Sequence, residues 1–359
     1  MNLLIFNLKT DADDSILGFT TDWINAMAAY CNRVFVITMV AGRIAVAENV
    51  QVFSIGKEKG FSEPRRLLEF YRLLWRVLRT AKIDACLAHM MPLFSVLGWP
   101  LLRPKRIPIV LWYAHSHVSL LLRVATKVVD RIVASSKSGF GIETAKFRSI
   151  GQGIDVNRFV PVHRARADNR LVLLTVGRIS PVKRLEIVIE SLALLPAEIK
   201  ENVELRFIGD PLGSKAIDYM NTLQRRVSDL GLSHIVKFQT ALPFHQVVAS
   251  YQNADVFINN SDTDSIDKTV LEAMSCGIPV ITSNAAFPLV LGDQLAKQCC
   301  VPKNNAQILA ARIIQIAFAS QEERSALGKR LREIVVRDHS LNKLAKRLFS
   351  EINNSRWRL

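Results

Sequence analysis

Long apolar runs are missing from this chain of 359 residues. The longest, Met90 to Leu102, is interrupted by Pro92 and Pro100 and stopped by Arg103, Pro104, Lys105 and Arg106. It falls short of the ~20 apolar residues that a bilayer-spanning helix needs. The opening MNLLIFNL has neither a basic n-region nor a long apolar h-region, so it reads as a first strand and not as a signal peptide. Cysteine is scarce: Cys31, Cys86, Cys276, Cys299 and Cys300 are odd in number, lie in apolar contexts and form no Cys-x-x-Cys. That speaks against a zinc site and a disulfide framework, and a reducing, cytosolic compartment is the simplest expectation. The ATP-type loop Gly-x-x-x-x-Gly-Lys-[Ser/Thr] is absent, and so are internal repeats, low-complexity tracts and any aromatic-basic motif for nucleic acid.

Positive charge, in contrast, is plentiful. Lys and Arg number 47 against 32 Asp and Glu, a net charge of +15, which calls for an anionic partner or surface. Much of the excess in the first half lies in Glu63 to Lys82, EPRRLLEFYRLLWRVLRTAK, with six basic residues to two acidic. At 100° per residue, Arg65, Arg72, Arg76 and Arg79 form one stripe, and Leu67, Tyr71, Leu74 and Leu78 lie opposite, with Leu68 and Trp75 at the flank. Such a helix is either an ordinary solvated face or a docking face for an anionic membrane.

The length suggests two domains. Strand-like runs at Leu3 to Leu8, Val34 to Met39, Val50 to Ser54, Ile83 to Ala88, Ile107 to Trp112 and Arg131 to Ala134 alternate with helical patterns. That alternation predicts a mostly parallel sheet covered on both faces. A second series begins at Leu171 to Val176 and continues through Val203 to Asp210 to the stretch Asp255 to Ser283, DVFINNSDTDSIDKTVLEAMSCGIPVITS. This last stretch reads as strand, polar loop, helix from Thr269 to Cys276, and strand. The polar segment His163 to Arg170 is the expected linker, with the boundary near Val160.

Several residues in these units suit an anionic ligand. Gly18 precedes a helical pattern, where a residue without Cβ lets backbone approach a phosphate. Arg178 and Lys183 flank the turn after the Leu171 to Val176 strand, where two cations and helix N-terminal amides can neutralise a diphosphate. Asp264 stands in the polar loop and Glu272 eight residues on, inside the helix. His115 ends a predicted strand in VLWYAHSH, with His117 and His89 as rivals.

The stretch ending LEAMSCGIPVI resembles the Glu-x7-Glu signature of family 4 glycosyltransferases, with Asp264 in place of the first Glu and Ser265, Ile266 and Asp267 in place of the usual Gly-Phe-Gly. GRISPVK is similar to that family's diphosphate clamp. SIGQGIDVNRFVP resembles its domain crossing with Gln152 for the usual Asn, and WYAH resembles the segment whose His approaches the donor sugar. The resemblance implies a GT-B fold, two Rossmann-like α/β domains facing across a cleft: residues 1–160 on the acceptor side, 161–338 binding a nucleotide sugar, and 339–359 as a helix packing back on the first domain. It implies retaining transfer of a hexose from a nucleotide diphosphate sugar; the basic Glu63 to Lys82 helix suggests a lipid-linked or growing glycan acceptor at a membrane face, and hence a role in surface polysaccharide or lipopolysaccharide biosynthesis. Arg178 and Lys183 would hold the leaving diphosphate, Glu272 the ribose, Asp264 and His115 the sugar, and Gly18 the donor diphosphate. No cofactor and no metal are expected. Asp262-Thr263-Asp264 imitates the Asp-x-Asp motif of the GT-A fold, but a metal there would need further oxygen ligands and a different order of strands, and Arg178 with Lys183 already serve the charge role. The expected location is the cytoplasm, at the inner membrane face through the Arg65 to Arg79 helix, with no nucleic-acid partner. A sugar-nucleotide epimerase of the same fold and a non-catalytic, membrane-associated binding subunit are the alternatives.

Overall fold

The computed structural model describes residues 1–115, 117–162 and 170–356. Most of the predicted linker, residues 163–169, therefore lies outside the described residues. The chain divides into two compact units, one of Met1–Gly153, Pro243–His245 and Leu341–Leu359, the other of Ile154–Leu242 and Gln246–Ser340.

The first unit runs β1 (Asn2–Thr10), α1 (Phe19–Ala28), β2 (Arg33–Ala41), β3 (Val50–Ser54), α2 (Glu63–Thr80), β4 (Ala85–His89), α3 (Pro92–Leu102), β5 (Ile109–Trp112), α4 (Leu120–Val128), β6 (Arg131–Ala134) and β7 (Phe147–Ser149). Among the described residues these strands form one parallel sheet in the order β3-β2-β1-β4-β5-β6-β7. Leu3, Leu4, Ile5 and Phe6 of β1 are all buried, as a parallel strand covered on both faces requires.

The second unit continues with β8 (Leu171–Val176), α5 (Leu185–Ala193), α6 (Ala197–Lys200), β9 (Val203–Ile208), α7 (Ser214–Asp229), β10 (Val236–Gln239), α8 (Val247–Gln252), β11 (Val256–Asn259), α9 (Lys268–Ser275), β12 (Val280–Thr282), α10 (Phe287–Cys299), α11 (Ala306–Phe318) and α12 (Gln321–Asp338). Its parallel sheet has the order β10-β9-β8-β11-β12. The chain works outward from β8 to β9 and β10, then returns to the other side of β8, so the topological switch point lies between β8 and β11. The last helix, α13 (Leu341–Arg356), belongs to the first unit, where Leu344, Ala345, Leu348 and Ile352 share a buried cluster with Trp23, Ile24 and Met27. Arg131 of β6, itself buried, pairs there with Glu351 at 3.1 Å.

The change of unit falls at Gly153, earlier than the boundary read near Val160. Gly153 packs on Leu344 of α13, whereas the Ile154 N–H donates to the His339 carbonyl at 2.8 Å and Phe159 stacks edge-on with Tyr251. The buried face of α2 also differs from the reading. Phe70, Leu73, Leu74 and Val77 are buried, while Leu67 is 42% exposed. The helix is thus turned by roughly a quarter turn from the expected inward stripe. This turn leaves Leu68 and Trp75, 73% and 56% exposed, beside the exposed Arg65, Arg72, Arg76 and Arg79.

Candidate functional site

The recess at the carboxyl ends of β8, β9 and β11 is lined by Thr175, Gly177, Arg178, Lys183, Phe207, Asn259 and Asn260. It stands at the switch point of the second sheet, where loops diverge and backbone polar groups face outward. Gly177 has φ +139°, and its carbonyl lies 1.9 Å from where a Cβ on Gly209 would sit, so the β8 and β9 turns close on each other only because both residues are glycine.

Arg178 and Lys183 are brought together here, but they differ in setting. Arg178 is exposed and has no carboxylate partner among the described residues. Lys183, half-buried at the end of a short 3-10 turn over Pro181–Lys183, donates from Nζ to Asp267 Oδ2 at 3.2 Å. Asp267 opens α9 and accepts two further bonds, from Asn259 Nδ2 at 2.9 Å and from the Thr263 hydroxyl at 3.3 Å. The Asn259 Oδ1 in turn accepts from the Thr282 hydroxyl at 3.0 Å.

Two more ion pairs fasten the loop between β11 and α9. Arg184, whose φ of +45° is left-handed, reaches Asp262 at 2.5 Å, and Lys303 Nζ reaches Asp264 Oδ1 at 3.2 Å. Asn284 donates to the Ser265 carbonyl at 2.8 Å, and Ile266 is buried, which gives the departure from Gly-Phe-Gly a packing role. Asp262 and Asp264 thus face basic side chains.

Asp264 and Glu272 do not line the recess. The sequence reading puts Glu272 against a ribose, yet the residue is only 4% exposed and its carboxylate accepts from the Tyr251 hydroxyl at 2.8 Å. Burial pushes the Glu272 carboxyl above its usual range, opposed by Lys268 one turn earlier, 3.8 Å away, and by the Tyr251 hydrogen bond. Nearby, burial pushes the Cys276 thiol up to about 12, so it remains a thiol at neutral pH.

Gly18 and His115 lie in the first unit. Gly18 starts α1, but a Cβ there would meet the Asp14 carbonyl at 2.5 Å and Phe244 at 2.7 Å, so its missing side chain accommodates protein atoms where the sequence reading allowed for a phosphate. His115 is exposed, and its Nδ1 accepts the His117 N–H at 2.9 Å, which leaves Nε2 as the ring's donor. Of its rivals, His89 is a core residue, 5% exposed, with ring contacts to Phe19 and Trp23. The residue missed in the sequence is Asp267. It stands 84 positions from Lys183, and only its place at the head of the LEAM helix hinted at a function.

Residues 159–334 match the family described as Glycosyl transferases group 1. The chain carries a glycosyltransferase group 1 domain. This domain spans the whole recess, from β8 to α12. Over 171 residues the chain is 27% identical to a D-inositol 3-phosphate glycosyltransferase of Geodermatophilus obscurus, covering 43% of this chain and 38% of that relative. It is 28% identical over 206 residues to the putative colanic acid biosynthesis glycosyltransferase WcaL of Escherichia coli, covering 55% and 48%. The chain thus spans half or less of the length of these curated relatives. Among solved structures, HepE of Anabaena in complex with UDP is similar over 99% of this chain and all of that one, with a TM-score of 0.74 at 20% identity. WaaG, a glycosyltransferase involved in lipopolysaccharide biosynthesis, gives a TM-score of 0.66 at 16% identity, over 96% and 98%. These likenesses show the fold: two Rossmann-like α/β units of the GT-B type.

Proposed function

We propose that the protein is a retaining glycosyltransferase of the family 4 type that moves a hexose from a nucleoside diphosphate sugar to a lipid-linked or growing glycan acceptor. The observation that carries this reading is the placement of Arg178 and Lys183 on one recess at the sheet's switch point, inside the group 1 domain. As the bond from the sugar's C1 to the diphosphate oxygen breaks, charge builds on that oxygen, and two fixed cations stabilise it. A new C1–oxygen bond forms to the acceptor hydroxyl, whose proton is lost, and the nucleoside diphosphate leaves. No metal is called on for the charge. The sugar is assigned to Asp264, the acceptor to the first unit, and the setting to assembly of a surface polysaccharide or lipopolysaccharide at the inner face of the membrane. For Glu272 to hold a ribose, the ligand's hydroxyls must reach a carboxylate that is buried and bonded through Oε2 to the Tyr251 hydroxyl.

The test is thermal stability of the purified protein against UDP, GDP, ADP and their glucose conjugates, since a ligand that binds only the native state raises the melting temperature by mass action. One base is expected to stand out with a shift of several degrees. Flat melting curves across the panel would overturn the donor assignment.

The membrane part of the proposal rests on α2. Arg79 lies 4.3 Å over the Trp75 ring and Arg65 lies 3.6 Å over Phe61, so guanidinium groups and exposed aromatic or aliphatic surface are interleaved, while Arg72 is tied to Glu69 at 2.7 Å. Sedimentation with phosphatidylglycerol vesicles is expected to fall several-fold when Arg65, Arg76 and Arg79 become Gln, and again when salt is raised. Equal sedimentation of native and variant protein would remove α2 from the membrane contact.

A further inference from the structure

We propose that Asp267 sets the strength of the diphosphate grip and speeds release of the nucleoside diphosphate product; the inference rests on the reading of the recess given above. Lys183 is one of two cations on the recess, and its ammonium is held at 3.2 Å by Asp267. The carboxylate cannot easily turn away. Its Oδ2 is fixed by Asn259, which is buried and itself bonded to Thr282, and its Oδ1 is within reach of the Thr263 hydroxyl. It stands at the N-cap position of α9.

The pair is close to neutral, so Arg178 supplies most of the recess's uncompensated positive charge. A diphosphate that binds there must share Lys183 with Asp267 and also sit near a fixed negative charge. This arrangement discriminates by charge. A nucleoside diphosphate sugar carries about two negative charges on its phosphates and the released nucleoside diphosphate about three, so the nearby carboxylate weakens the product more than the substrate. Chemistry still benefits, because Lys183 is held at the recess wall in advance and two of its three N–H groups are not used by Asp267.

The isosteric change Asp267→Asn keeps an oxygen for Lys183 and an amide in the same volume while removing the charge. By calorimetric titration the variant is expected to bind the preferred nucleoside diphosphate about tenfold more tightly. Its gain for the matching nucleotide sugar should be smaller, and its affinity for the uncharged nucleoside unchanged. In steady-state transfer, kcat should fall several-fold while inhibition by added product strengthens. Asp267→Ser, with a side chain favoured at a helix start, repeats the test should the Asn variant fold poorly. An unchanged or weakened diphosphate affinity in a folded variant overturns the inference and makes Asp267 only an anchor. An equal gain for the uncharged nucleoside would overturn it too, by pointing to a general structural change. If the native protein binds no nucleoside diphosphate at all, the reading of the recess fails first and the inference with it.

Discussion

Replacing Lys183 with alanine is expected to lower kcat/KM for glycosyl transfer by about 10²–10³-fold, the loss typical when one preorganised group that meets developing charge is removed. The loss should appear in kcat as much as in KM, because the charge on the departing diphosphate is largest in the transition state. Folding should be little affected. Asp267 would still accept from Asn259 and Thr263, and Lys183 contributes no side chain to the buried core. Arg178→Ala should give a loss of the same order from the exposed side of the recess. Steady-state rates within threefold of native for Lys183→Ala, in a protein of native melting temperature, would remove the lysine from the chemistry.

The second large effect concerns stability. Gly328 of α12 crosses the end of α9 so closely that an added Cβ would lie 1.8 Å from the Gly277 carbonyl oxygen and 2.6 Å from its carbon. Gly328→Ala in a helix interior would otherwise be stabilising by up to ~1 kcal/mol. Here the obstacle is backbone, and it cannot move aside as a flexible side chain would. The helices must separate, at roughly 3 kcal/mol, toward the upper end of typical overpacking costs. Separation also strains Arg332, whose guanidinium donates to the Phe159 carbonyl at 2.8 Å and the Val156 carbonyl at 3.1 Å and binds Ser275 as well. The second unit's thermal transition should drop by about 2–4 °C per kcal/mol. A transition that rises instead would show that helix propensity outweighs the crossing.

The two parallel sheets were readable because their central strands are continuous runs of Leu, Ile, Val and Phe, buried on both faces, and a run of that kind has few other places to go. What escaped was built from weaker signals. β7 is three residues at a sheet edge, with Arg148 and Ser149 exposed, and α10 is broken at Gly292 by a left-handed φ of +72°. The orientation of α2 misled because periodicity sets the inward stripe on Leu67, Tyr71, Leu74 and Leu78, whereas the helix buries Phe70, Leu73, Leu74 and Val77 and leaves Leu67 outside. In the recess, Arg178 and Lys183 were legible because they lie only five positions apart, on one turn. The partners of Lys183 and Glu272 are 84 and 21 positions away, and only the folded chain reveals them.

The placement of α13 bears on how the protein is made. The helix that completes the first unit's buried cluster follows Ser340 in the chain, after all of the second unit. At about 5–20 residues per second, the ribosome needs roughly ten to forty seconds to travel from Ile154 to Leu341. Throughout that interval Trp23, Ile24 and Met27 wait without Leu344, Leu348 and Ile352, and Arg131 waits without Glu351. The second unit, nearly continuous in sequence, is synthesised in full before the first has all of its core.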